Sequence, residues 1–354
     1  MHLRALFFSI GLTACSGSAL HEVTFQDAPG AAAATSASDL WMWGGQYMSP
    51  RLDHSDGTTS TSVTPPPAIA DLGSMTPVAM VSARPGELWC AGWRGLTPGA
   101  GGSQVPVLVR VATDGTVTDV SSQIPTLTAS GENYIRITLV AGAGLVFGNF
   151  SSGTTDHLFV IDGTTVQAVA NPSGTTGGNP LAVVAANDLY GTDSTGAILH
   201  YDGSSWTHDS VSLLNPSVVA VGGEVWAWSA NAPAVSSPAS ITVYRRDGAS
   251  FVPVTLAFEF EANDFNLLAI VPLGNGRLGL VGRGNGTLGG LPAHKVETRV
   301  YDGSSVSGPH LQAEMSNCGS CSSSVGPLLL MPNGDLLMGS QAPVRYFVLA
   351  HTGF

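Results

Sequence analysis

An Asp-Gly pair recurs along this chain, at Asp56-Gly57, Asp114-Gly115, Asp162-Gly163, Asp202-Gly203, Asp247-Gly248 and Asp302-Gly303, with Thr352-Gly353 as a weaker seventh member. The first six lie 40 to 58 residues apart. Asp-Gly between β-rich runs is the strongest short hairpin signal, because a type I′ turn needs positive φ at both central residues. A second marker keeps step with the first. It reads LWMWGG from Leu40, LWCAGW from Leu88, LVFGNF from Leu145, LYGTD from Leu189, VWAWSA from Val225, LGLVGR from Leu278 and LLMGSQ from Leu336. Two independent markers at matching intervals define an internal repeat of about 50 residues.

The unit is clearest over 181–209, where LAVVAA, LYGT, AILHY and SSWTH read as four short strands separated by polar turns. A four-stranded repeat of this length is the signature of a β-propeller blade, whose two apolar sheet faces must stack on neighbouring blades. Seven markers predict an all-β fold, a seven-bladed β-propeller spanning 22–354. The last unit runs PLLLMP, DLLMG, RYFVLAH and lacks a fourth strand. Near the other end, HEVTFQDAPG matches fourth strands such as ASFVPVT, and AAAATSAS suits a first strand before Leu40. An N-terminal strand is therefore expected to close the last blade and pair its open edge.

Composition agrees and removes several functions. Only 11% of residues are charged, while 44% are hydrophobic and 44 residues are glycine, which disfavours disorder and long helices. The 13 basic residues are dispersed, Arg245-Arg246 being the one adjacent pair, and the formal net charge is −12. A nucleic-acid surface needs clustered cations, so none is expected.

The units resemble kelch-type blades, in the apolar second strand running into glycine (LWMWGG) and in Tyr before a turn with Trp after it (HYDGSSW). Only the first unit has the double glycine, and only the fourth the Tyr-and-Trp pair. The resemblance implies the fold, not a kelch function.

The N-terminus reads as a targeting segment. His2 and Arg4 precede the apolar LFFSIGL, too short to span a bilayer, and Leu12-Thr13-Ala14-Cys15 follows. That stretch resembles the bacterial lipobox; the competing reading is an ordinary secretory signal. The resemblance implies a signal peptide over 1–14, a lipidated Cys15, a tether over 15–21 and, with Ser16 rather than Asp after the cysteine, the outer membrane of a Gram-negative envelope. In an oxidising envelope Cys318 and Cys321 of NCGSC are expected to form a small disulfide, and Cys90 to stay a buried thiol. A redox or zinc role for Cys318-Gly-Ser-Cys321 is disfavoured: the motif opens no helix, and no further ligands stand at matching spacing.

Connections from first to second strand (AAND, VGGE) and from third to fourth are short, whereas those after second strands and between blades are long and irregular. In an up-and-down blade the two long classes emerge on one face, where binding residues are expected. Tyr47, Trp93, Arg94, Arg283 and His294 lie at the exits of second strands or in the loops RGLTPGAGGSQVP and RGNGTLGGLPAH, and are the candidate contact residues. Trp41 and Trp43, like Trp226 and Trp228, share one sheet face and are expected to pack between blades. The glycine-rich stretch from Gly274 precedes no helix N-terminus and is not read as a phosphate loop. The nine histidines form no ligand-spaced cluster, and neither sialidase-type boxes nor a copper-oxidase ligand set is evident, so no metal or cofactor is expected. The resulting expectation is a monomeric, membrane-anchored binding or scaffold propeller for a glycan or an envelope protein. The alternative is a carbohydrate-active enzyme, a hydrolase or lyase, using carboxylates such as Asp193 or Asp264.

Overall fold

The computed structural model describes residues 20–23, 29–46, 49–63, 79–94, 105–124, 136–151, 155–172, 179–229, 240–258, 266–288, 291–316, 325–331, 335–341 and 344–349. Apart from one three-residue 3-10 turn at Ser121–Gln123, the regular structure there is strand. The strands form seven four-stranded antiparallel sheets. Six are consecutive runs of chain, blade one over 29–63, two over 79–119, three over 136–169, four over 179–212, five over 216–257 and six over 266–316. The seventh takes three strands from 325–349, and its outer strand is Leu20–Val23, paired with Val344–Leu349. Each first strand lies beside those of the neighbouring blades, and Val325–Leu330 touches both Asn266–Gly274 and Pro29–Ser36. This is a propeller ring. Its outer strand for blade seven begins at Leu20, inside the stretch read as tether.

The alternation of side chains along each strand decides where the core lies. In blade two, Leu88 and Cys90 point into a cluster with Trp41, Trp43 and Leu52 of blade one, whereas Trp89 and Ala91 join Phe150 and Phe159 of blade three. The same arrangement joins blades three and four, four and five, and five and six, where Trp226 and Trp228 pack with Leu278 and Leu280. Both tryptophan pairs are thus mortar between blades, each buried ring contributing about 1.5–3 kcal/mol or more. The core is a series of layers between sheets. Cys90 is free and buried, and desolvation pushes its thiol up to about 12. Such a thiol is inert.

Two expectations need correction. The Asp-Gly pairs do connect third to fourth strands, but not as type I′ turns: the glycines have positive φ and the aspartates do not. At Asp56, Asp202 and Asp302 the loop has four residues, and the aspartate side chain accepts the N–H groups two and three residues on. At Asp162 and Asp247 the aspartate ends the strand, and a Gly-x pair makes the turn. An aspartate that accepts local N–H donors can stay in the favoured half of φ, leaving the left-handed conformation to glycine. The second correction concerns blade six. The stretch RGNGTLGGLPAH is strand for most of its length, because Arg277–Leu288 and Leu291–Tyr301 continue as one long hairpin. The fourth strand, Val306–Ser316, also extends into what reads as connection.

Candidate binding face

The ring presents two unlike faces. One carries the tight turns, first-to-second and third-to-fourth. The other carries the connections between blades and the second-to-third connections. The latter are expected to be long, but they shrink to two residues in blades one, six and seven and reach ten only in blades two and five. At the tight-turn end the sequence repeats a feature one residue ahead of the Leu marker: Asp39-Leu-Trp41, Glu87-Leu-Trp89, Asp188-Leu-Tyr190 and Glu224-Val-Trp226. The acid starts the second strand, the aromatic lies two residues on, and the residue opposite that aromatic on the third strand is His54, Arg110, His200 or Arg245. In blades one and two the carboxylate bonds both partners. Asp39 Oδ1 accepts the Trp41 indole N–H at 3.1 Å and lies 2.8 Å from His54 Nε2. Glu87 accepts the Trp89 N–H at 2.6 Å and Arg110 Nε at 2.7 Å. Asp188 lies 2.9 Å from His200 Nε2, with the imidazole stacked on Tyr190 at 4.9 Å. Glu224 accepts the Trp226 N–H at 3.2 Å, and Arg245 sits over that ring at 5.9 Å.

These groups resemble an acid–base pair when seen singly. Their recurrence in four blades, each with its aromatic buried, marks them as a structural device. Arg246 extends the device between blades four and five, donating to Asp209 at 2.9 Å and contacting His200 Nδ1 at 3.2 Å. This repeated acid is the signal the sequence reading passed over.

On the opposite face the described residues include the blade-four loop 193–196 and the connection 213–215 to blade five. Asp193, a candidate carboxylate for the enzyme reading, folds back into its own turn. It accepts from the Thr195 N–H at 2.8 Å, Thr195 Oγ1 at 2.7 Å and the Ala197 N–H at 3.0 Å, with His208 Nε2 at 3.5 Å. Burial pushes its carboxyl up, but those donors outweigh burial and hold it below the ordinary value of 3.8. A general acid needs a raised pKa, so Asp193 is better suited to stapling the loop. Beside it, Leu213 N–H donates to Gly196 O at 3.0 Å, Ser229 Oγ donates to Leu214 O, and Asn215 takes the left-handed conformation at φ +49°. These constraints present Leu214 outward at 77% exposure, the one large exposed hydrophobic among the described residues.

Of the expected contact residues, Trp93 and Arg94 lie in the blade-two strand Glu87–Arg94. Arg283 pairs with Asn266 and Val296, and His294 with Asn285 and Ser316, so both sit within blade-six strands rather than in a loop. Tyr47, Asp264, Cys15, Cys318 and Cys321 lie outside the described residues. Among the described residues no group of three or more His, Cys, Asp or Glu side chains is placed to hold a metal, and no helix is long and apolar enough to cross a membrane. On the ring axis a cavity of about 210 Å³ is lined by first-strand residues including Ala33, Leu139, Val183 and Val219, with Met331. Its one hydroxyl, that of Ser82, is already bonded to Glu87 O at 2.6 Å.

No protein-family model and no curated protein matches the chain. Solved structures similar to it are β-propellers. The structure of YCF48 bound to D1 peptide is 12% identical and covers 95% of this chain and 98% of its own, at a TM-score of 0.51. YCF48 from Cyanidioschyzon merolae is 10% identical, covering 94% and 99%, at 0.49. The WD40 β-propeller domain of Doa1 is 13% identical, covering 94% and 96%, at 0.46. At these identities the likeness extends to the fold alone.

Proposed function

We propose that this chain is a non-catalytic binding or scaffold propeller, held to a bacterial envelope membrane through a lipid on Cys15, that recognises a protein segment with its long-connection face. The observation that carries this reading is Leu214, fixed outward on that face by bonds to its neighbours while comparable side chains elsewhere in the described residues are buried or half-buried. A lone exposed leucine carries little weight by itself. Its place on a pinned loop of a rigid ring, facing the side where the connections are long, is what singles it out. The carboxylates at the turns and between the blades support the same reading, since they serve loop closure and packing. That a propeller of this fold, YCF48, is bound to a peptide shows that such a scaffold accommodates one.

The test places a photo-crosslinking amino acid at Leu214 or, on the tight-turn face, at Ala249, in the full chain expressed in an envelope-bearing host. The expected outcome is one discrete protein adduct from position 214 and none from 249. Adducts from 249 alone, none from either, or turnover of a glycan by the purified protein would each overturn the reading. Glycan binding without turnover, lost in Leu214→Asp, would replace the protein ligand with a sugar.

A further inference from the structure

We propose that the tight-turn face is the one held toward the membrane, so that the long-connection face points away from the lipid, toward a partner outside the bilayer plane. This rests on the reading of Cys15 as the anchor, and it is decided by the topology of blade seven. The strand Val344–Leu349 is a third strand. Like Ala197–Tyr201 in blade four, it runs from the long-connection face to the tight-turn face. Leu20–Val23 lies antiparallel to it, with Leu20 opposite Leu349 and Val23 opposite Tyr346. The chain therefore enters the ring at the tight-turn end. Had the N-terminal segment supplied a first strand instead, it would have entered from the other face.

Geometry sets how far the ring can stray. Five residue steps separate Cys15 from Leu20 and span at most about 18 Å when fully extended. The face so tethered carries the turn carboxylates of Asp56, Asp114, Asp202 and Asp302. The Ser205 and Ser204 N–H groups hold Asp202 at about 2, and those of Ser305 and Ser304 do the same for Asp302. They stay charged throughout the range of an envelope. Arg84, paired with Asp162, and Arg277 stand on this face too, but carboxylates outnumber cations there, so it is not built to lie on anionic lipid. Repulsion decays over about 8–10 Å in physiological salt, and the tether is long enough to let the ring stand outside that distance. The tight-turn face is thus a spaced base, and the face bearing Leu214 is presented to partners that approach from the aqueous side.

The experiment uses the full-length lipidated protein in vesicles of phosphatidylethanolamine and phosphatidylglycerol doped with a nitroxide-headgroup lipid. An azide-bearing amino acid at Ala249 or at Ser194, both exposed and on opposite faces, is coupled to a fluorophore. The third strand of blade four, five residues at about 3.3 Å each, sets the two faces about 16 Å apart. The fluorophore at 249 should be quenched severalfold more strongly than that at 194. Equal quenching, or stronger quenching at 194, overturns the orientation. Flotation with the vesicles is scored separately: if the wild type does not float, or Cys15→Ala floats equally well, the anchor reading falls and the orientation with it.

Discussion

Blades two and three are neighbours of the same strand count, yet they are locked by different means. Blade two places a carboxylate at the start of its second strand, where Glu87 ties the buried Trp89 to Arg110 on the next strand. Blade three has Gly144 at that position, and its carbonyl accepts from Arg84 of blade two at 3.0 Å. Its second strand is buried along its whole length and held by shape instead. Gly148 faces Phe159, which packs with Phe150 at a centroid distance of 5.7 Å. A propeller blade needs its aromatic pinned in one orientation, and either a directed hydrogen bond or a tight steric slot does this. The two solutions should fail differently.

The largest effect should come from Glu87→Ala, which strands a buried indole N–H and takes the partner from the half-buried Arg110 guanidinium. We expect a loss of about 3 kcal/mol in denaturant titration, with Glu87→Gln recovering part of it. A loss below about 1 kcal/mol would mean that the acid is not what holds blade two. In blade three the corresponding lesion is addition, not removal. A Cβ at Gly148 would lie 2.3 Å from Phe159 Cζ and 2.8 Å from Leu139 Cδ2, so Gly148→Ala should cost about 1–3 kcal/mol by overpacking. Unchanged thermal melting would show that the slot can open freely.

The smallest effect sharpens the comparison through pH. Burial raises the Asp39 carboxyl, but hydrogen bonds from His54, Thr35 and the Gly86 N–H outweigh it and hold the group below 3.8. A carboxyl depressed in the folded state contributes stability above its unfolded value and loses it as pH falls through the folded one. The stability lead of the wild type over Asp39→Asn should therefore be full near neutral pH and shrink below about pH 4. A lead that persisted unchanged in acid would show that the Asp39 contacts do not depend on its charge.

Much of this was legible beforehand, for identifiable reasons. The period of two along LWMW and VWAW, with glycine after the first, leaves those tryptophans one packing surface each, and they occupy it. The Asp-Gly pairs located the hairpins but misstated their geometry, because a side chain that caps its own loop substitutes for a strained backbone. The acid at the start of the second strand in blades one, two, four and five was in plain view. Its meaning needed the residue opposite on the third strand, 12 to 23 positions away in blades one, two and four, to be brought alongside. Blade six misled for the opposite reason. A glycine-rich run reads as loop, yet hairpin pairing continued through it where backbone partners were at hand.

The sequence by itself determined the repeat, the four strands of each unit and which side chains are buried, because period, turn chemistry and hydrophobicity are local. Only the tertiary structure decided which acids are structural and how Leu214 is presented. Those depend on which residues antiparallel pairing brings alongside, as it sets His54 opposite Trp41 and Arg110 opposite Trp89, and on contacts between separate loops such as that of Ser229 with Leu214.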